Sequence, residues 1–496
     1  MADHAANRPL IAFVTGLSAV VVMLDITVVN VALPHVEGSL NATREQVTWV
    51  LTAYVIAMAI TTPLIGWVAD RIGRRMLFTA SMAGFTVASI ACGLATSLPE
   101  LIVFRVLQGV FAAAVGPLAQ AILLDVTPRE QHGRAMAIWA MATMLGPTLG
   151  PPLGGWLTDH YSWRWCFLIN LPLGAIAVVG AWICIRDAAN VVRRRLDLLG
   201  YLALVLGVAA FQLLLDRGPG REWYASQETY IWTGLAALGF YWFVVHSVTT
   251  DKPLFSPELA KDRNYVTATA LSFVICLLLF SSVTLVPPIL QDLLGYPAFD
   301  SGLSLIPRGV ATILSAFLVG RLVGKVDSRL LVLAGLILTA VGLYMMAGIS
   351  PLADNRLVMA SSFIQGLGQG TFFVPVSTFA FVTLAPSLRT DAAAAMGLVR
   401  NLGTSMGVSL VAMVQSAGAY RSQSRIGDSV SPEAMAARAL EPGGAVTPGS
   451  QADLLAVARE LSRQADLVAY VNTFHFMILL CAVAAPLLLF LRSRRT

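Results

Sequence analysis

Charge is what this sequence lacks most. Only 12% of its 496 residues are Asp, Glu, Lys or Arg, while 57% are apolar, and its mean hydropathy is +0.73. A soluble chain of this length would carry roughly twice that charged fraction to keep its surface wetted. The shortage excludes an ordinary soluble enzyme and implies a lipid-facing exterior. Cysteine is scarce too: Cys92, Cys166, Cys184, Cys276 and Cys481 sit in or beside apolar runs, without CxxC spacing or a disulfide framework. They are expected to be free thiols that hold no metal. No GxxxxGK[ST] phosphate loop and no HExxH cluster occurs, so ATP-driven and metal-catalysed chemistry lack their parts and no cofactor is expected. The net charge of +5 comes from short basic clusters between apolar runs rather than from one basic face, which argues against a nucleic-acid partner.

What is present is a series of apolar runs, each long enough to cross about 30 Å of hydrocarbon with roughly 20 residues. They lie near 10–33, 47–67, 77–97, 100–123, 135–157, 164–186, 197–216, 228–248, 265–288, 302–321, 329–349, 357–383, 392–416 and 467–491. Together they predict an all-α membrane protein of fourteen transmembrane helices. An N-terminal six-helix bundle occupies 1–190, two inserted helices 191–260, and a C-terminal six-helix bundle 261–496 with a long outer loop at 417–466. The first run is too long for a removed signal peptide and lacks its small-residue cleavage site. Lys and Arg placement sets the orientation: with cytoplasmic termini, twenty of the 33 basic residues fall on inner segments. These include Arg71, Arg74 and Arg75, Arg193 to Arg195, and Arg492, Arg494 and Arg495. Arg105, Arg308 and Arg400 fall inside spans and need a separate explanation. The outer loop is Pro/Gly-rich at Glu441-Pro442-Gly443-Gly444, then helix-like with Leu454, Ala458 and Leu461 on one stripe. It reads as a solvated connector or a docking segment.

The two bundles look related at an offset of 254 to 257 residues. Gly66 to Arg71 recurs loosely as Gly320 to Lys325, Gln108-Gly109 as Gln365-Gly366, and Leu145-Gly146 with Gly150 as Leu402-Gly403 with Gly407. Three matches in order at nearly one offset favour a parallel duplication whose halves rock about a midplane site. The spans near 197–248 have no copy and read as an insert.

Asp25, in Leu24-Asp25-Ile26-Thr27-Val28-Val29-Asn30, is the acidic residue placed deepest inside a span. A carboxylate there costs about 2.5–3.5 kcal/mol on insertion scales, so it is a functional candidate by default, able to take and release a proton. Ser282 stands at the duplicated position, which confines such chemistry to the first half. Arg105 lies at a similar depth, close enough to couple to Asp25 directly or through water. The alternatives are a structural Asp bonded to a neighbouring helix and an Arg satisfied by carbonyls at a bend. Gly146, Gly150 and Gly154 recur every fourth residue, with Gly155 and the prolines Pro147, Pro151 and Pro152 among them. That pattern implies a tight, kinked seam, serving packing or conformational change. Between the second and third spans, Gly66, Asp70, Arg71, Gly73, Arg74 and Arg75 suggest a latch, with Glu130 as an arginine partner, or a plain topology signal.

These stretches resemble, in order, the signatures of the major facilitator superfamily: LDxTVxNVALP in the first helix, GxLaDrxGrkxxl in the loop, lxxxRxxqGxgaa in the fourth helix and gxxxGPxxGG in the fifth. The pattern is similar to the fourteen-span drug:proton antiporters of the EmrB/QacA type. Trp163-Arg164-Trp165, Asp216-Arg217-Gly218, Gln291 with Gly295-Tyr296, and Pro307-Arg308-Gly309 extend it along the chain. Val68 and Phe111 depart from it, Phe111 standing where the fourth-helix pattern has Gly. The resemblance implies a multi-pass inner-membrane exporter of hydrophobic, often cationic compounds, driven by the proton gradient. It makes Asp25 the proton and cation site, Arg105 the coupling residue, Asp70 the gate latch, and Gly150, Pro151, Gly154 and Gly155 the antiporter hinge. It also implies contact with membrane lipid and, as in some relatives, with a periplasmic adaptor and an outer-membrane channel.

Two other readings stay open: proton-coupled export of an endogenous metabolite, lipid precursor or siderophore, and a transport-inactive membrane sensor. Asn30, Trp49, Tyr54, Met58, Gln108, Trp139, Phe273, Gln365, Phe372 and Phe373 lie on spans that can line a central cavity, where aromatic faces suit hydrophobic cations. His475, on the last span, reads as a packed histidine.

Overall fold

The computed structural model describes residues 8–128, 131–185, 196–218, 226–250, 253–350, 354–429 and 451–490. Glu130, Arg193 to Arg195 and the C-terminal arginines lie outside them. The described chain is helical throughout, apart from turns and an isolated bridge between Val323 and Val326. The first bundle comprises α1 (Arg8–Ser39), α2 (Arg44–Thr61), α3 (Arg74–Leu94), α4 (Leu98–Val126), α5 (His132–His160) and α6 (Asn170–Cys184). A 3-10 turn joins α2 to a short helix, Ile65–Ile72. The pair α7 (Leu198–Arg217) and α8 (Gln227–Thr249) follows, and then α9 (Arg263–Pro288), α10 (Ile306–Leu322), α11 (Ser328–Ala347), α12 (Asn355–Val382), α13 (Arg389–Ser429) and α14 (Gln451–Ala484).

Among the described residues, thirteen helices are long and apolar enough to cross a membrane. α5 is not one of them, because prolines and glycines dilute its hydropathy. It can afford this, since protein flanks it: α1 packs along one side and α10 along another. Lipid-facing positions carry the apolar surplus, as at Val248, Tyr241 and Trp242 on α8, a helix that packs chiefly against α7. α7 in turn touches α2 and α13, one helix from each half.

Local chemistry sets the ends. Thr43 and Gln46 form a reciprocal capping box that starts α2. Gly73 and Gly324, at φ 87° and 91°, turn the chain before the third helix of each half, a backbone conformation that a side chain would strain. The repeat has a structural echo elsewhere: a Cβ on Gly109 would strike the Tyr54 carbonyl, and one on Gly366 would strike the Arg308 carbonyl. Tyr54 and Arg308 stand 254 residues apart, as the repeat expects.

Three sequence expectations are corrected. α1 runs on through Pro34 to Ser39, so Asp25 lies further from its C-terminal end than the apolar run suggested. The expected outer loop at 417–466 is shorter, because α13 continues to Ser429, while the stretch read as helix-like at 454–461 lies in α14, which begins at Gln451. Polar amphipathic turns that outrun the apolar span read as loop in a hydropathy count. His475 is exposed rather than packed, its Nδ1 2.9 Å from the Val471 carbonyl of its own helix.

Candidate functional site

Asp25 and Arg105 are both fully buried and meet directly, Arg105 Nη1 donating to Asp25 Oδ2 at 2.6 Å. The other carboxylate oxygen, Oδ1, accepts from Gln108 Nε2 at 2.9 Å and from Asn170 Nδ2 at 2.8 Å. Arg105 also donates through Nη1 to Gln108 Oε1 at 2.7 Å and through Nε to the Val50 carbonyl at 3.0 Å. Its guanidinium carbon stands 4.2 Å from the ring centroid of Tyr54 and 5.6 Å from that of Phe167. The cluster thus joins α1, α2, α4 and the start of α6. It reaches α3 as well, since Asn170 Nδ2 lies 3.0 Å from Ser89 Oγ, which donates to the Phe167 carbonyl at 2.9 Å. Three donors converge on the carboxylate, which offsets much of the cost of burying it, while Arg105 Nη2 is buried without a hydrogen-bond partner. Asn170, Ser89 and the Val50 carbonyl were missed in the sequence, because each enters singly from a different helix with no spacing to signal it.

A cavity of about 860 Å³ lies between the two halves, walled by α1, α2, α4, α5, α7, α9, α12 and α13. Asn30, Trp49, Tyr54, Met58, Trp139 and Phe373 line it. Gln108, Gln365, Phe273 and Phe372 do not. Gln108 turns inward to Asp25, and Gln365 accepts from Ser282 Oγ at 2.6 Å and from Arg308 Nη2 at 3.2 Å inside the second half. The backbone of Phe273 supports the close approach of Gly403, and Phe372 is buried against Gly335. The insert α7 adds Gln212, Leu215, Asp216 and Arg217 to the wall, a contribution the sequence reading did not assign. Asp25 stands behind this wall, one residue from Ile26 and two from Thr27, which do line it.

The glycine series on α5 divides. A Cβ on Gly146 would come within 2.7 Å of the Leu24 amide, one on Gly150 would strike Thr27 Oγ1 and lie 2.6 Å from Thr27 Cβ, and one on Gly154 would lie 2.9 Å from the Val28 carbonyl. Thr27 Oγ1 also reaches the Gly146 carbonyl at 3.1 Å. These three glycines therefore seat α5 on the turn of α1 that carries Asp25. Gly155 points elsewhere, with nothing within 4 Å of its would-be Cβ. Pro151 and Pro152 instead meet Gly302 of the second half.

At the end of the bundle that carries Gly73, the halves are tied. Arg389 Nη1 donates to Asp125 Oδ1 at 2.8 Å and to the Leu124 carbonyl at 3.2 Å, and Arg74 pairs with the same Asp125. Gly66 abuts the Asp391 side chain of α13, and Gly133 and Gly320 abut Val323 and Ala137 across the same seam. Arg75 donates to the Trp182 carbonyl at 2.8 Å, while Arg71 lies over Trp67 and half-buried Asp70 sits in the short helix Ile65–Ile72. Away from these contacts the cavity reaches Thr48, Trp49 and Arg217 near the other end. At Phe111, the departure from the fourth-helix pattern, Gly84 of α3 makes room: a Cβ there would lie 2.5 Å from the ring.

The family model of the Major Facilitator Superfamily matches residues 15–408. The chain belongs to this superfamily. It is 34% identical to the multidrug export protein EmrB of Escherichia coli K12 over 431 residues, covering 86% of this chain and 84% of that one. It is also 36% identical to the fatty acid resistance protein FarB of Neisseria gonorrhoeae over 404 residues, 80% and 78% of the two chains. The crystal structure of the human organic anion transporter MFSD10 superposes with a TM-score of 0.60 at 13% identity, covering 96% of this chain and 99% of the other, which supports the superfamily fold alone. Seen as a member of this superfamily, the chain has its cavity where two helical halves face one another, and its buried ion pair within the first half.

Proposed function

We propose that the chain is a multidrug efflux transporter that exchanges hydrophobic compounds for protons across the inner membrane by alternating access, with both termini cytoplasmic. One observation carries the reading: a buried, titratable Asp25 sits on the same turn of α1 that lines the cavity and bears the α5 glycines. Taking a proton at Asp25 cancels its charge and weakens the bonds from Arg105, Gln108 and Asn170. α1 then loses its hold on the half-bundle just where Gly146 and Gly150 grip it, and movement along that seam is passed to the cavity wall. The Asp125 cluster with Arg74 and Arg389 acts as the latch that breaks when the Gly73 end opens, and Asp70 and Gly66 belong to the same gate. The multidrug export named for one curated relative and the fatty acid resistance named for another support drugs and amphiphiles as cargo, and the aromatic wall of Trp49, Tyr54, Trp139 and Phe373 supports an apolar one. The basic residues on the Gly73 side support its assignment to the cytoplasm. A periplasmic adaptor, in this reading, meets the helical extension around Tyr420, which is exposed.

Expression in a pump-deficient host tests the reading. Resistance to dyes, quaternary ammonium compounds or uncouplers is expected to rise, and dye accumulation to fall until the proton gradient is collapsed. Resistance to none of them would favour export of an endogenous metabolite.

A further inference from the structure

We propose that Arg400 is the anchor for the acidic headgroup of an amphipathic organic anion, a carboxylate on an apolar body, that occupies the central cavity. The proposal rests on the reading of that cavity as the cargo site and names one class of cargo.

Arg400 lies on α13 and lines the cavity. Its guanidinium carbon is 5.1 Å from the Trp139 ring centroid and 5.4 Å from that of Phe373, two rings stacked at 5.8 Å. Its Nη2 has only the Met396 sulfur, at 3.1 Å, and its Nε is buried with no partner. Among the described residues no carboxylate pairs with it. Other arginines in the protein interior each keep one buried nitrogen unpartnered but do reach an oxygen: Arg105 has Asp25, Arg389 has Asp125, and Arg308 has the Gln365 amide oxygen. A guanidinium cannot shed its charge to escape burial, so it needs an acceptor. Arg400 is held by two rings and a thioether, contacts that leave its planar donor fork without an oxygen.

The cavity around it gives the missing acceptor a shape. The charged residues of the wall are Asp216, Arg217 and Arg400. Arg217 is already paired with Glu228 at 2.6 Å and lies over Trp49, and Asp216 accepts from Gln212 at 3.1 Å. Arg400 is therefore the wall cation with an open charge, and Trp139 and Phe373 beside it offer an apolar bed. A carboxylate accepts two parallel N–H bonds from guanidinium, a geometry that lysine cannot reproduce. A cationic amphiphile of the same length has no acceptor to offer and meets repulsion.

The test compares dodecanoate with dodecyltrimethylammonium, matched in chain and opposite in charge. Binding to the purified full-length protein is read by tryptophan fluorescence and calorimetry, without any gradient. Failure of proton coupling therefore does not affect the result, and failure of this site leaves coupling intact. The wild type is expected to bind dodecanoate more tightly than the ammonium. Arg400→Gln is expected to weaken dodecanoate about tenfold or more and leave the ammonium within about twofold, with Arg400→Lys intermediate. Equal loss of both ligands in Arg400→Gln, or an unchanged dodecanoate affinity, overturns the proposal. Should Arg400→Gln fail to fold, the wild-type preference and the Arg400→Lys loss still decide it. A wild type that prefers the ammonium, or whose dodecanoate is displaced by anionic phospholipid at equal concentration, overturns it as well.

Discussion

Arg105→Gln is expected to cost the protein about 3 kcal/mol or more of stability, because removing one partner of a buried pair leaves the other uncompensated. Asp25 then keeps only Gln108 and Asn170, and the Val50 carbonyl loses its donor. The loss is expected to shrink when Asp25→Asn is added, since two amides at the same place bury no charge. Thermal unfolding of the two single variants and the double variant gives the coupling directly as a mutant cycle. A double variant no more stable than Arg105→Gln alone would show that the pair is not the unit described here. The effect is expected to be large because the two side chains are completely enclosed and are tied by four further hydrogen bonds to α2, α4 and the start of α6.

Gly150→Ala is expected to abolish most transport, while Gly155→Ala retains it to within about twofold. The two substitutions add the same methyl group, five residues apart on one helix. At 150 the new carbon meets Thr27, whose β-branched side chain cannot swing aside, so α1 and α5 must separate. At 155 the methyl meets nothing within 4 Å. Efflux in whole cells, normalised to the amount of protein in the membrane, separates them. Equal loss in both would mean that the glycines set helix flexibility rather than contact. The seam is then a property of the helix itself, and the close approach of α5 to the Asp25 turn is incidental.

Much of this was legible in the sequence, and what was not has identifiable physical causes. Spans could be counted because a lipid-facing helix must be apolar, yet α5 shows that a helix flanked by protein is free of that demand. Asp25 and Arg105 stood out because charge is costly in hydrocarbon, while their direct contact depends on how α1 and α4 pack. The cavity wall was harder to read. Which face of a helix turns toward a neighbouring half depends on its rotation, and a spacing rule does not supply it. Gln108 and Gln365 therefore looked like cavity residues although each serves the interior of its own half. Trp139 and Phe373 line the wall, while Phe273 and Phe372, equally aromatic, do not. Arg400 drew notice only as a charge inside a span. Its lack of an acceptor is a fact of three dimensions. The insert α7 was read as an addition without a copy, and the structure makes it part of the wall through Asp216 and Arg217.

In the proposed cycle, the charge on Asp25 couples the proton to the movement of the halves. Reconstituted vesicles carrying the Asp25→Asn variant, loaded with a fluorescent substrate and given an imposed pH gradient, test it most directly. The variant is expected still to bind substrate, because Asp25 lies behind the cavity wall, while the gradient no longer drives its transport. Full gradient-dependent transport by Asp25→Asn would contradict it.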